Sequence, residues 1–283
     1  MFLLSLITLL PYRLPALISI FFFLVAPALI PAQKNLYILN RGGNNILSVP
    51  LDNPDSPPNE KINQGLLATY DFISHTASFK LFWCSGITNQ ILSGDDKGGG
   101  VNSAIATEVS VPVDLDIDAY QNKIYWADNV RKQIFRANLD GSSQEVVLAD
   151  SFPNLSSIAI FPALDLMFFA DIDSSLIWSC SLSGENRKVL VNDSLGTPIR
   201  LLIDTIRQKL YWADDAQHQI ERIDFDGGKR EVFYQGTEAE LPFGLYLDYS
   251  AEQIYWTDYG TEQIMRANLD GSAAVPFIKS GLS

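Results

Sequence analysis

PVDLDIDAYQNKIYWADNVRKQIFRANLDGSSQEVVL, residues 112–148, reads as four short extended segments separated by turn residues. In the first, Val113 to Asp118, apolar and acidic side chains alternate, which puts Val113, Leu115 and Ile117 on one face of a pleated strand. Asp118 to Lys123 turns the chain. Lys123 to Ala127 is rich in aromatic and β-branched types, which suit a half-buried sheet surface. Gln133 to Asn138 then runs into Asp140-Gly141, a pair that favours a tight hairpin because it tolerates positive φ. Glu145 to Leu148 forms the fourth segment. The apolar spacing is two, and Gly, Asp and Asn interrupt it about every ten residues, so a helical reading fails.

The pattern recurs along the chain. Ile38, Trp83, Trp126, Phe169, Trp212 and Trp256 stand about 43 residues apart, a period that points to a repeat architecture. An aromatic residue precedes each of them (Tyr37, Phe82, Tyr125, Phe168, Tyr211, Tyr255), and an isoleucine follows each eight residues later (Ile46, Ile91, Ile134, Ile177, Ile220, Ile264). One four-stranded sheet cannot hide both of its faces, so each copy demands a neighbour. Six copies arranged radially meet that demand. The sequence therefore predicts an all-β chain, a six-bladed β-propeller of four-stranded antiparallel blades with the aromatic column filling the spaces between them.

IYWAD at 124–128, LYWAD at 210–214 and IYWTD at 254–258, trailed by QIFRANLDG, QIERIDFDG and QIMRANLDG, resemble the YWTD repeat, the class B repeat of the low-density lipoprotein receptor. The resemblance covers residues 35–283. It implies a six-bladed propeller of the kind found in endocytic lipoprotein receptors, Wnt co-receptors and nidogen. The motif Asp stands at Asp128, Asp171, Asp214 and Asp258, whereas the first two repeats carry Asn40 and Ser85. The motif Arg stands at Arg136, Arg222 and Arg266, with Ser48, Ser93 and Ser179 elsewhere. Every repeat with the Arg also has the Asp, which predicts that the two interact in a structural role.

Blades two to six each have a first strand upstream of the aromatic mark, such as Thr69 to His75 or Pro242 to Asp248. For blade one the corresponding window is Leu24 to Ile30. In the resembled receptors that strand comes instead from beyond the sixth repeat, and Ser283 falls short of it. A missing closing strand is the expectation: the chain is a fragment, or the leader substitutes, or one blade keeps an unpaired edge, which is an aggregation liability.

Residues 1–32 are a strongly apolar leader in which Arg13 is the only charge. Ala16 to Val25 followed by Ala26-Pro27-Ala28 reads as a secretory signal peptide. An uncleaved N-terminal membrane anchor is the other reading, and residues 33–283 are then the propeller. No other segment is apolar enough to span a bilayer. The location expected is extracellular or within the secretory pathway. Asn154 and Asn192 open sequons and are glycosylation candidates on surface connections. Cys84 and Cys180 fall in repeats that are not neighbours, which predicts two buried free thiols.

A net charge of −13 without a basic stripe argues against a nucleic-acid partner and permits a basic protein partner. No His pair or Cys cluster has zinc-ligand spacing, and no cofactor is expected. The enzymatic alternative is a metal-dependent hydrolase of the gluconolactonase-like propeller type, with Asp71 and Asp114 facing the central channel. Ser157, Arg200 and Gly244 at the equivalent places leave too few oxygens for that site. The reading is a non-enzymatic, extracellular protein-binding module, receptor-like or matrix-like, that engages a protein ligand on a propeller face. One such face carries the loops after the second strands: 41–44, 86–89, 129–132, 172–175, 215–218 and 259–262. Arg131 and Tyr259 are candidate contacts because arginine and aromatic side chains dominate interface energetics. Asn129 shares the loop of Arg131, and His218 offers a pH-dependent contact.

Overall fold

The computed structural model describes residues 18–22, 35–40, 45–56, 58–62, 66, 69–75, 80–95, 101–106, 109–150 and 152–278. They form six four-stranded antiparallel sheets, each a meander in which neighbouring strands are consecutive in sequence. Blade three consists of Pro112–Asp118, Lys123–Asp128, Gln133–Asn138 and Glu145–Leu148, within a residue of the segments the sequence predicts. Blade two begins at Thr69–His75, blade four at Leu155–Phe161, blade five at Pro198–Asp204 and blade six at Pro242–Asp248. These first strands neighbour one another around the ring, so they form its inner wall.

The expected gap in blade one is not there. Ile18–Phe22, inside the span read as a leader, lies antiparallel to Asn35–Asn40 with Ile20 opposite Ile38, and completes that blade as its inner strand. It adjoins the first strands of blades six and two, closing the ring. The inner edge of Asn35–Asn40 offers a row of backbone donors and acceptors, and an extended apolar segment of the same chain satisfies them. The window Leu24 to Ile30 lies outside the described residues.

Strand periodicity explains how the motif builds the core. Alternate residues of a strand face opposite sides, so Ile124 and Trp126 pack back on Phe82 and Cys84 of blade two, whereas Tyr125 and Ala127 pack forward on Ile158 and Phe169 of blade four. Blades four and five meet in the same way through Phe168, Ala170, Leu210 and Trp212, and blades five and six through Tyr211, Ala213, Ile254 and Trp256. Tyr255 of blade six meets Leu36 and Ile38 of blade one, and Tyr37 and Leu39 meet Leu81 and Trp83 of blade two. The apolar core is therefore six inter-blade layers. Trp83, Trp126, Trp212 and Trp256 are fully buried, and each such ring contributes about 1.5–3 kcal/mol.

The Asp-Gly turns between third and fourth strands depend on glycine for two reasons. Gly141 has φ +88°, and a Cβ there would collide with the Ile105 carbonyl oxygen of the preceding blade. Gly227 has φ +96° but a nearest neighbour, Leu190 Cδ1, at 3.6 Å, so only its backbone conformation demands glycine. Cys84 and Cys180 are free and buried, and burial pushes the Cys180 thiol up to about 12. Among the described residues no helix is long and apolar enough to cross a membrane.

Candidate functional site

Three sets of polar groups compete for a functional role: the motif residues, the channel wall and the loops after the second strands. The motif Asp is consumed by the backbone. Asp214 accepts N–H groups from Gly196 at 2.7 Å, Thr197 at 2.8 Å and Gln217 at 3.2 Å, tying the loop after its own strand to the connection that enters the blade. Asp128 accepts from Ser110, Val111 and Arg131 in the same way, and Asp171 from Asn154 and Ser174. Asp258 holds Thr261 through its backbone and hydroxyl.

The motif Arg does not reach that Asp. In register, Tyr125 faces Arg136, Tyr211 faces Arg222 and Tyr255 faces Arg266, whereas Asp128, Asp214 and Asp258 face Gln133, Gln219 and Gln263. Arg222 donates to Tyr211 Oη at 3.0 Å, to Glu231 at 2.8 Å and to the Leu269 carbonyl of blade six at 2.8 Å. Arg136 repeats the arrangement with Tyr125, Glu145 and the Leu182 carbonyl of blade four. The sequence signal was present: every repeat with the Arg also has Tyr, not Phe, ahead of its Trp. Asp and Arg co-occur because both belong to complete repeats, while the physical partner lies directly across the strand pair.

On the channel wall the column 71, 114, 157, 200 joins blades two to five. Asp71 accepts the Leu115 N–H of the next blade at 3.2 Å, Asp114 accepts that of Ile158 at 2.8 Å, and Ser157 Oγ accepts that of Leu201 at 3.0 Å. Ser157 Oγ also donates to Asp114. The Arg200 guanidinium sits between the carboxylates, pairing with Asp114 and, at 3.1 Å, with Asp71. Burial pushes the Asp71 carboxyl up, against the pull of Arg200 and with the push of Asp114. Burial likewise raises Asp116 to about 7, although the Ile160 and Ile117 amides donate to it. The two carboxylates that a channel metal would use thus hold a cation supplied by the chain. Among the described residues no group of three or more His, Cys, Asp or Glu side chains has the arrangement of a metal site.

The loops after the second strands are short and turned. Their last residues, Asn89, Lys132, Ser175, His218 and Glu262, all have φ between 50° and 59°. Arg131 is exposed and its guanidinium lies 5.7 Å from the Phe135 ring. Asn129 donates to Asn154 Oδ1 at 2.9 Å, and Asn154 donates in turn to Asp173 at 2.9 Å, so these residues bridge blades three and four. His218 Nδ1 lies 2.9 Å from the Glu240 carbonyl oxygen in blade five's exit connection. Tyr259 is half-buried, with its backbone N–H bonded to Leu241. Arg131 and Asn129 thus share one loop, while His218 and Tyr259 stand on blades five and six. The loop 41–44 lies outside the described residues. Sequence reasoning passed over Ile87 and Val130, which are 60% and 57% exposed on the adjacent loops of blades two and three. An apolar residue inside a turn was the available signal.

The family model described as low-density lipoprotein receptor repeat class B matches residues 122–162, the stretch from the second strand of blade three into blade four. Among curated proteins none matches the chain by sequence. Among solved structures the chain is similar to one in a crystal structure of a nidogen/laminin complex, with a TM-score of 0.75 and 21% identity, over 82% of this chain and 89% of that one. It is also similar to a streptogramin B lyase structure, with a TM-score of 0.68 and 14% identity, over 94% of this chain and 88% of that one.

Proposed function

We propose that the chain is an extracellular protein-binding module that engages its partner through the loop face bearing Ile87, Val130, Arg131 and Tyr259. The observation that carries this reading is the channel wall. Asp71 and Asp114 are both paired with Arg200 instead of being left open for a catalytic metal, and the motif polar groups are spent on the scaffold. Recognition then falls to the exposed loops, where an arginine beside apolar side chains is the composition of an interface centre. The resemblance to a propeller solved in a nidogen/laminin complex is in keeping with a protein partner. The lyase resemblance concerns fold, and fold alone does not assign chemistry.

The accompanying proposals are export with Ile18–Phe22 retained, since that segment pairs with Asn35–Asn40, and glycosylation at Asn192, which is exposed. The Asn154 amide is already engaged by Asp173. A screen of the chain against an array of extracellular proteins tests the binding reading. The expected result is a partner whose affinity falls about tenfold in Arg131→Ala or Tyr259→Ala. A calcium-dependent rise in melting temperature that vanishes in Asp114→Asn would overturn it in favour of the metal-dependent hydrolase.

A further inference from the structure

Four successive blades carry a large apolar residue in the same turn. Tyr120, Leu164, Ile206 and Tyr249 occupy the connections from first to second strand of blades three to six, at 89%, 47%, 68% and 37% exposure. Strand direction alternates, so these turns and the Asp-Gly turns lie at the end of the ring opposite the Arg131 and Tyr259 loops. First strands line the channel, which makes the apolar residues an arc around its mouth with the Asp-Gly turns as an outer rim. The arc is continuous with its neighbours. Tyr249 Oη accepts the Thr205 N–H of blade five at 3.0 Å, and Leu139, Phe225 and Leu269 of the rim donate their N–H groups to Asn122, Gln208 and Glu252 of the inner turns.

The rim is acidic. Asp140 and Asp270 each accept the backbone N–H and hydroxyl of a serine two residues on, which holds their carboxyls below the usual range and keeps them charged. The cations nearest the arc are already engaged: Arg207 by Asp204 and Glu252, Lys209 and Lys229 by Asp224, and Lys123 by the Asn138 amide oxygen. Among the described residues Asp140, Asp226 and Asp270 have no such cationic partner at ion-pair distance. Apolar side chains exposed singly are ordinary, but four in the same turn of consecutive blades form a surface.

We propose that this turn face is a second docking surface, for a basic protein segment that also presents apolar side chains, with the side chains seated on the Tyr120–Tyr249 arc and the cations on the Asp140, Asp226 and Asp270 rim. The surface does not depend on the loop face. Its charge repels nucleic acid and anionic lipid alike.

Selection of random peptides displayed on phage against the intact chain is the test. Recovered peptides are expected to interleave Arg or Lys with Leu, Phe or Trp, and the double variant Tyr120→Ser, Ile206→Ser to weaken them about tenfold or more. The loop-face double variant Ile87→Ser, Val130→Ser is expected to keep affinity within about twofold. All four positions are solvent-exposed, and circular dichroism with a thermal melt checks that each variant folds. Recovery of no peptide, of peptides without basic residues, or of peptides weakened equally by both variants overturns the proposal. So does concentration-dependent self-association that Tyr120→Ser, Ile206→Ser abolishes, which assigns the arc to a second copy. Binding to phosphatidylcholine vesicles that the same variant abolishes assigns it to a lipid surface and overturns it equally.

Discussion

Blades five and two have the same four antiparallel strands and different fastenings. In blade five Asp214 gathers three backbone N–H groups, and Tyr211 anchors Arg222, which crosses to the Leu269 carbonyl of the next blade. In blade two the corresponding positions are Ser85, whose hydroxyl receives the Thr88 hydroxyl at 2.8 Å within its own loop, and a fully buried Phe82 facing Ser93. Both blades close on apolar layers built by the same alternation. The polar motif is therefore reinforcement laid over a shape that hydrophobic periodicity already specifies.

The sharpest way to break that contrast is to remove the reinforcement. Asp214→Ala strands three N–H groups, hydrogen bonds to a charged acceptor being the stronger kind, and is expected to cost about 3 kcal/mol. Ser85→Ala is expected to cost about 1 kcal/mol or less. Urea unfolding measures both, and equal losses would show that the carboxylate is no better a fastening than the hydroxyl. Next in size are the Asp-Gly turns. Gly141→Ala meets both a left-handed φ and the Ile105 carbonyl and is expected to cost about 2 kcal/mol or more, whereas Gly227→Ala meets only the φ, at about 1 kcal/mol. Indistinguishable melts would mean that the close approach to the preceding blade is relieved by a small shift.

A double-mutant cycle sharpens the difference in pairing. Tyr211→Phe and Arg222→Ser together give blade five the residues of blade two, and the coupling between them is expected to be about 1 kcal/mol, while Asp214→Ala with Arg222→Ser should be near additive. Strong coupling in the second pair would restore the Asp–Arg link that the sequence suggested. The channel wall adds a contrast that is read through pH. The Asp116 carboxyl titrates near 7 in the folded chain and near an ordinary aspartate value, about 3.9, when unfolded. The folded state therefore binds the proton more tightly, and the stability this contributes is full below about pH 4 and is lost as pH rises through 7. Asp116→Asn should flatten the fall in melting temperature between those limits relative to the unmodified chain, and parallel profiles would remove Asp116 from the account.

Much of this was legible in the residues. The strand limits of blade three, the positive φ at Gly141 and the aromatic layers follow from alternation and turn chemistry, which are local. The Arg222 partner was misread because co-occurrence along repeats does not distinguish residues that touch from residues that share a complete repeat. Register does, and it places Tyr211 opposite Arg222. Of the readings of blade one, the leader standing in for the closing strand is the one that holds, through Ile18–Phe22 and not through Leu24 to Ile30. Sequence supplies several apolar segments able to add to that edge, and the closed ring selects among them. The exposed arc from Tyr120 to Tyr249 escaped notice because one apolar residue in one turn carries no signal until the ring sets the four turns side by side.

Period two within a strand and a period of about 43 residues between blades dictated the architecture before any coordinates, because each blade is a local meander whose two apolar faces require neighbours. The assembled ring dictated which distant groups meet. Arg200 and Asp114 lie 86 residues apart and pair across the channel, and Tyr249 reaches Thr205 44 residues away at the channel mouth. Such contacts have no signature in local pattern, since they arise from the angle at which successive blades are packed. That angle is set by the volumes of the six buried layers acting together.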